Sequence, residues 1–307
     1  MLIDKIASDT GLNRSFIDLV VRTASYRYKT YTIPKKKGGY RQIDHPAREL
    51  KLLQRWLLDN VIAQLPVHEC AFGYRKGRNI RLHALCHVGN NFLLRVDFRD
   101  FFPSITADDI LTLMGIRGPH LRGDALTAED HEVVARLVCR RGRLTIGAPT
   151  SPAISNAVMY EFDAGWSGRC AGSGVSYTRY ADDLCFSTNE PGVLSQLLGE
   201  LKADLLQRRP LLTLNDAKTV FTSRKRHRAI TGVVLTPDRK VSLGRARKRR
   251  VRTLVHLYAA NRLEAKDREY LRGFVAFASS IEPEFVESLR RKFGEDLLHS
   301  LLARLDR

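Results

Sequence analysis

Two adjacent aspartates, Asp182 and Asp183, separate two short apolar runs, residues 175–179 and 184–186, each of strand length. Carboxylates at the tip of such a hairpin are hard for a protein to satisfy by itself. Each raises the pKa of the other unless a cation sits between them. A divalent metal ion is the simplest remedy, and Mg²⁺, with its preference for oxygen ligands, suits it best. A polar turn is the plain alternative. The pair Asp108-Asp109 illustrates it, since Thr106-x-x-Asp109 reads as a capping box that opens a helix with no chemistry implied. What separates the two pairs lies in the rest of the chain.

The 307 residues amount to about two domain-sized units and suffice for a real core. A hydrophobic content of 44% excludes a disordered chain. Against 33 acidic residues stand 51 Lys and Arg, a net charge of +18. That excess requires a polyanionic partner, either nucleic acid or an anionic membrane. No apolar run approaches the ~18 residues of a membrane span, and Met1-Leu2-Ile3-Asp4-Lys5 lacks the layout of a signal peptide. Nucleic acid is therefore the expected partner, and no membrane is. Cys70, Cys86, Cys139, Cys170 and Cys185 form no C-x-x-C pair and read as reduced, mostly buried thiols of a cytoplasmic protein.

Along the chain, residues 1–28 read as two short helices broken at Gly11, with Asn13 or Ser15 capping the second. Tyr31-Thr32-Ile33 and Tyr40-Arg41-Gln42-Ile43 flank Lys35-Lys36-Lys37-Gly38-Gly39, a hairpin signal with a cationic tip. Residues 50–65 carry a helical apolar stripe that Pro66 ends. Residues 92–98 read as a strand with Phe92, Leu94, Val96 and Phe98 on one face and Arg95 and Asp97 on the other. Helices are expected from Asp108 and from Ala128, the latter capped by Thr127. The loop Gly147-Ala148-Pro149-Thr150-Ser151-Pro152 opens a helix over 153–162, with Ser151 as N-cap. A helix over 193–207 and a strand near 211–214 follow. Residues 224–252 hold 12 Lys and Arg and one acid, Asp238, and residues 245–260 and 282–305 look helical. Mixed strands and helices followed by a helical unit indicate an α+β body with an all-α appendage.

A third carboxylate would let the site hold two metal ions about 3.5–4 Å apart for in-line phosphoryl transfer. Asp97, at the end of an apolar strand and facing away from its apolar side, is the candidate. A solvent-facing strand end is the alternative for Asp97 taken alone.

It does not stand alone. Asp97-Phe98-Arg99-Asp100-Phe101-Phe102-Pro103-Ser104-Ile105, then the Gly147–Pro152 loop, then Tyr180-Ala181-Asp182-Asp183, then Asn215-x-x-Lys218 occur in that order. Together they resemble the palm motifs of reverse transcriptases. The resemblance implies a right-hand polymerase with fingers, an RRM-like palm built on an antiparallel sheet, and a helical thumb. It places fingers and N-terminal helices in 1–92, palm in 93–235 (with finger-associated helices at about 106–150) and thumb in 236–307. It implies that Asp97, Asp182 and Asp183 ligate two Mg²⁺ ions, with Mn²⁺ a possible substitute. Lys218 falls on the motif lysine near the leaving group, a candidate general acid; a solvated turn lysine is the other reading. Phe102 falls where the family places its steric gate against a ribose 2′-OH. Arg41, with Lys36 or Lys37, matches the fingers segment that grips the triphosphate of a dNTP, a task suited to Arg and Lys. Most relatives carry Gln before the Gly of the Gly-x-Pro-Thr-Ser-Pro loop; here Ile146 stands instead. Either the backbone supplies that contact or nucleotide selection is altered.

Finer details resemble the retron branch of bacterial enzymes. These are residues 147–156, Arg179-Tyr-Ala-Asp-Asp-Leu-x-Phe-Ser187, Ile230-Thr231-Gly232, and Leu271-Arg272-Gly273-Phe274 through Ile281-Glu282-Pro283. The retron Asn-Ala-x-x-His element here reads His83-Ala84-Leu85-Cys86-His87. His83, Cys86 and His87 also allow a zinc reading, but no fourth ligand stands at a convincing spacing; His68 and Cys70 are unforced. The resemblance implies copying of a cognate structured noncoding RNA into a branched RNA-linked DNA (msDNA), primed by a 2′-OH. It further implies an effector protein and a role in phage defence. Pro149, Ser151, His87, Thr231 and Gly232 would contact template or RNA. The basic residues Arg247, Arg249 and Arg250 would grip RNA phosphates, since phosphate neutralisation dominates such affinity. Too few residues follow the thumb-like segment for an RNase H domain, so RNA removal is expected from elsewhere. The alternatives are a group II intron-like or diversity-generating reverse transcriptase, the former disfavoured by missing maturase and endonuclease segments. A catalytically silent RNA-binding scaffold is a third.

Overall fold

The computed structural model describes residues 1–35, 38–118, 121 and 125–303. Helices α1 (Leu2–Thr10) and α2 (Arg14–Thr23) part where Gly11 takes a left-handed C-cap and Asn13 accepts the Ser15 N–H as N-cap. Strands β1 (Tyr28–Pro34) and β2 (Tyr40–Pro46) pair antiparallel, with Ile33 opposite Arg41. Helix α3 (Arg48–Asn60) buries Leu50, Leu53 and Leu57 as its stripe requires, but ends short of Leu65. The β-branched pair Val61-Ile62 gives way there to a single 3₁₀ turn, Ile62–Gln64.

Helix α4 (Ile80–Val88) starts where the Asn79 side chain accepts the Leu82 N–H. Strand β3 (Phe92–Arg99) is buried on both faces, with Leu93 as enclosed as Leu94, Val96 and Phe98. Helices α5 (Ala107–Arg117) and α6 (Ala128–Val138) each open on a full capping box, Thr106/Asp109 and Thr127/Asp130. Asp108-Asp109 is thus a helix start, as its context indicates.

The helix expected over 153–162 is instead two, α7 (Ser151–Val158) and α8 (Tyr160–Gly172). Ser151 is the first helical residue rather than the cap, because proline is tolerated throughout a first turn and does not by itself fix the N-cap. Strands β4 (Ser176–Tyr180) and β5 (Asp183–Thr188) enclose the aspartate turn, and α9 (Val193–Arg208) follows. Four further short strands come next: β6 (Thr213–Leu214), β7 (Val220–Ser223), β8 (Arg228–Ile230) and β9 (Val233–Leu235). After β10 (Val241–Ser242) the chain is helical: α10 (Arg245–Ala259), α11 (Ala265–Ile281), α12 (Pro283–Phe293) and α13 (Glu295–Leu302).

One sheet runs in the order β4-β5-β3-β6, with β7 also on β3; β3 and β6 are antiparallel. The chain divides into two compact units. The first comprises Met1–Lys76, Arg95–Leu184 and Ser195–Val220; the second Gly77–Leu94, Cys185–Leu194 and Phe221–Arg307. The second unit has its own core, in which Ile230, Val233 and Leu235 meet Val251, Val255, Leu271, Val275, Phe285 and Leu289. Among the described residues no helix is long and apolar enough to cross a membrane.

Within the second unit α10 begins with a run of arginines, the wrong charge for a helix N-terminus. Glu282, between α11 and α12, offsets this. Its carboxylate accepts the Leu243 N–H and the Ser242 hydroxyl, each at 2.9 Å, and pairs with Lys248 at 2.8 Å. Burial alone would raise its pKa; the bonds from Lys248, Leu243 and Ser242 outweigh it and hold the group below the usual glutamate range. A carboxylate depressed in the folded state contributes stability above its unfolded pKa, and that stability is lost as pH falls through the folded value. We therefore expect Glu282→Ala to cost about 1–3 kcal/mol in urea unfolding at neutral pH, from the buried donors it strands. The gap between variant and wild type should close in acid; a gap independent of pH would refute the ionised contact.

Candidate active site

The three aspartates come together in the first unit. Asp97 sits one residue before Phe98, whose N–H donates to the Asp182 carbonyl at 3.0 Å; the Asp97 carbonyl accepts the Asn215 N–H at 2.8 Å. Asp183 is the first residue of β5. Lys218, on the turn after β6, donates from Nζ to Asp97 Oδ1 at 2.5 Å. Burial, then the Asp97 charge, raises the pKa of Asp182. Burial, then Asp182, pushes Asp183 up to about 6, with Arg95 opposing. Carboxylates raised first by burial and then by a neighbouring carboxylate's charge favour an added positive charge. An all-oxygen donor set of this charge suits a divalent cation, and Asp97, Asp182 and Asp183 are the residues that would hold it, although among the described residues their carboxylates are not drawn together as tightly as the ligand atoms of His83, His87 and Cys185.

What holds the turn is a buried guanidinium. Arg179, on β4, is completely enclosed and forms a forked pair with Asp163 of α8: Nη2–Oδ2 is 2.6 Å and Nε–Oδ1 2.9 Å. Nη1 reaches both Asn156 Oδ1 and the Ala181 carbonyl, each at 3.1 Å. Tyr177 donates its hydroxyl to the same Asp163 at 2.9 Å. Ala181 takes φ 57°, a left-handed conformation that costs an L-residue roughly 1–2 kcal/mol, and the Arg179 contact to its carbonyl fixes it. Residues 70–73 brace the other side: Arg179 N–H donates to the Cys70 carbonyl and Phe72 N–H to the Arg179 carbonyl, both at 2.8 Å. Asn156 Nδ2 donates to the Gly73 carbonyl at 2.8 Å. A Cβ on Gly73 would lie 2.6 Å from the Ala181 nitrogen, so only glycine allows this approach.

Phe102 is half-buried, its ring 5.5 Å from Phe101 and 6.4 Å from Tyr74. Arg41 is exposed on β2, and its charge acts on Asp182. Its hairpin is tied down at Asp44, whose carboxylate takes Arg140 and the Thr30 hydroxyl and whose N–H donates to the Ile146 carbonyl at 2.8 Å. A Cβ on Gly147 would meet the Asp44 carbonyl at 2.7 Å. The Ile146 backbone carbonyl is thus occupied by β2. Pro149 is half-buried in that loop. Lys36 and Lys37 lie outside the described residues.

Ser151 and His87 depart from the RNA-contact expectation, for each is enclosed by protein. His87 Nδ1 lies 2.7 Å from the Ser187 hydroxyl, which also accepts Asn90 Nδ2 at 2.7 Å. Burial, reinforced by His83, pulls His87 down to about 3, so it stays neutral. Cys86 is exposed and takes no part; Cys185 instead completes a buried trio with His83 and His87, their ligand atoms within 4.8 Å of one another. A closed structural zinc site takes four ligands, and the group holds three among the described residues. Thr231 and Gly232 form the β8–β9 turn, both at positive φ, and Arg247 donates to the Gly232 carbonyl. Arg249 is exposed, and Arg250 lies over the Tyr270 ring at 4.7 Å.

The family model for reverse transcriptase (RNA-dependent DNA polymerase) matches residues 33–235. The chain belongs to the reverse transcriptase family. The Retron Ec83 reverse transcriptase of Escherichia coli is 35% identical, over 95% of this chain and 96% of that protein. The Retron Ec73 reverse transcriptase of the same organism is 32% identical, over 95% of each. Within the family the chain is therefore of the retron type, an RNA-directed DNA polymerase. An apo telomerase structure from Candida tropicalis aligns with a TM-score of 0.50 at 12% identity, over 89% of this chain and 60% of that one. That likeness bears on the fold alone and agrees with a right-hand polymerase.

The sequence places Arg179 at the end of a strand and at the start of the retron-like motif, but nothing in it pairs Arg179 with Asp163 of α8. Arg179→Met should destabilise the protein by about 3–5 kcal/mol by stranding a buried carboxylate. The double variant Arg179→Met/Asp163→Leu should regain much of that in thermal unfolding yet keep a low turnover. Full recovery of DNA synthesis in the double variant would show that the strut supports the fold and not the aspartate turn.

Proposed function

We propose that Asp97, Asp182 and Asp183 are the metal-ligating centre of a DNA polymerase that copies a cognate structured noncoding RNA into a branched, RNA-linked single-stranded DNA. The observation that carries this reading is the Phe98 N–H bond that joins the Asp97 strand to Asp182, with raised pKa values on Asp182 and Asp183 and Arg41 acting on Asp182. In the reading, residues 1–92 supply fingers, 93–235 palm and 236–307 thumb.

Two Mg²⁺ ions, when bound, would lower the pKa of the primer hydroxyl and hold the triphosphate. Everything else falls to side chains. Asp97 and Asp182 supply the main oxygen ligands, and Asp183 the third. Arg41 offers a bidentate guanidinium to phosphate oxygens, with Lys36 or Lys37 as a point charge beside it. Phe102 excludes a ribose 2′-OH by bulk. Lys218, poised on Asp97, is placed to give a proton to departing pyrophosphate. Pro149 lines the template side. Arg247, Arg249 and Arg250 neutralise RNA phosphates, and the Thr231–Gly232 turn that Arg247 holds extends that surface. Priming from an RNA 2′-OH, an effector protein and phage defence are what the retron resemblance implies; the relatives' names support the retron type alone.

Asp182→Asn should abolish Mg²⁺-dependent DNA synthesis on an RNA template while RNA binding in a filter assay stays near wild type; retained synthesis would refute the assignment. Replacing Arg247, Arg249 and Arg250 together with Gln should weaken RNA binding and reduce its salt slope by about 2–3. An unchanged slope would make that face a merely solvated one.

A further inference from the structure

Tyr74 is out of place for a structural residue. It follows Gly73, which packs against the Ala181 nitrogen, and it holds φ 59°, a left-handed conformation disfavoured for an aromatic side chain. Hydrophobic burial is a weak reason for it, since the residue is 53% exposed. Its ring lies 6.4 Å from Phe102, tilted by 42°. Its phenol stands among the charges of the site: burial raises its pKa, Asp182 and Tyr180 raise it further, and Arg41 opposes them. Strain of this kind persists where the surrounding structure enforces it, and it concentrates at functional positions. Here the enforcement is visible in the Asn156 bond to the Gly73 carbonyl and the Phe72 bond to Arg179.

We infer that Tyr74 is a nucleotide-binding residue: its ring backs Phe102 and with it walls the sugar of the incoming dNTP, so that the two aromatic rings together set sugar selection. The inference rests on the reading of Phe102 and the aspartates as the nucleotide site. The chemistry is that of a flat apolar wall with a polar tip, well matched to a deoxyribose and intolerant of an added 2′-OH. Because Gly73 and Ala181 touch back to back, the same contact that sets the aspartate turn also sets the wall.

The full chain, extending a DNA primer on a heteropolymeric RNA template with dATP or ATP, tests this. Tyr74→Ala should raise the KM for dATP about tenfold and reduce discrimination against ATP by a similar factor, with kcat less affected. Tyr74→Phe should keep most of the discrimination. Tyr74→Gly removes the backbone strain and should unfold at a temperature no lower than wild type while showing the Tyr74→Ala defect. That combination separates a site residue from a fold residue. Phe102→Ala, run alongside, reports on the parent reading. If both variants loosen discrimination, the shared wall stands. If Tyr74→Ala loosens it and Phe102→Ala does not, the shared wall is overturned together with the role given to Phe102. If Tyr74→Ala leaves both KM and discrimination at wild-type values, the inference is overturned whatever Phe102→Ala does.

Discussion

Three carboxylates must be held within reach of one another although each opposes the ionisation of the next. Nothing local does this. Asp97 arrives on β3 and the other two on the β4–β5 turn, and the Phe98 N–H bond to the Asp182 carbonyl joins the two elements. Burial worsens the repulsion, as the raised pKa values of Asp182 and Asp183 record. A flexible turn would relieve it by swinging an aspartate out to water. The fixed Ala181 carbonyl, the Asp163–Arg179 fork and the loop over residues 70–73 deny it that escape. Lys218 on Asp97, Arg41 towards Asp182 and Arg95 towards Asp183 offset part of this charge, yet Asp182 and Asp183 stay raised, and the cluster keeps an affinity for further cations.

The two compact units solve different problems. The first is rich in buried polar side chains that hold one another: Asp163, Asn156 and Arg179 are all enclosed and joined by hydrogen bonds. Such networks are costly unless satisfied, and when satisfied they specify a single arrangement. The second has a larger apolar core, though it also encloses Arg228, whose guanidinium donates to the Asn90 and Thr236 carbonyls, and it carries exposed cations on α10. There Arg250 stacks on Tyr270 and Arg252 lies 5.1 Å over Phe285, so the stems and planes of basic side chains cover apolar surface while their charge stays outward.

Much of this was legible in the sequence where local chemistry decides. The capping boxes at Thr106 and Thr127, the break at Gly11, the strand carrying Asp97 and the hairpin around Arg41 follow from patterns a few residues long. So does the difference between Asp108-Asp109 and Asp182-Asp183, once Asp97 is set beside the latter. Other features depend on tertiary contacts. The split between α7 and α8 and the short strands β8–β10 have little local signature. The amphipathic helix α11 carries enough polar residues to resemble loop. His87 reads as an available ligand or RNA contact because burial is invisible in one dimension; Ser187, a hundred positions on, keeps it in the core. The same blindness hid Arg179. A polar residue next to a motif looks functional or exposed, and only the fold reveals that it is neither catalytic nor solvated.

The backbone joins these themes. Asp100, Ala181 and Tyr74 all hold positive φ without being glycine, at 46°, 57° and 59°. They lie beside Phe102, Asp182 and the Gly73 contact respectively. Glycine would relieve each strain at the cost of looser turns, since it visits these conformations freely and loses more entropy when fixed. A non-glycine residue, once forced there, has few other states open to it. The Arg179 network thus fixes two of these places, the Ala181 turn and, through Asn156 and Phe72, the chain leading into Tyr74. The strain and the network are two sides of one arrangement: without Arg179 the left-handed turn would relax, and without the turn the buried guanidinium would lose the Ala181 carbonyl that it helps to fix.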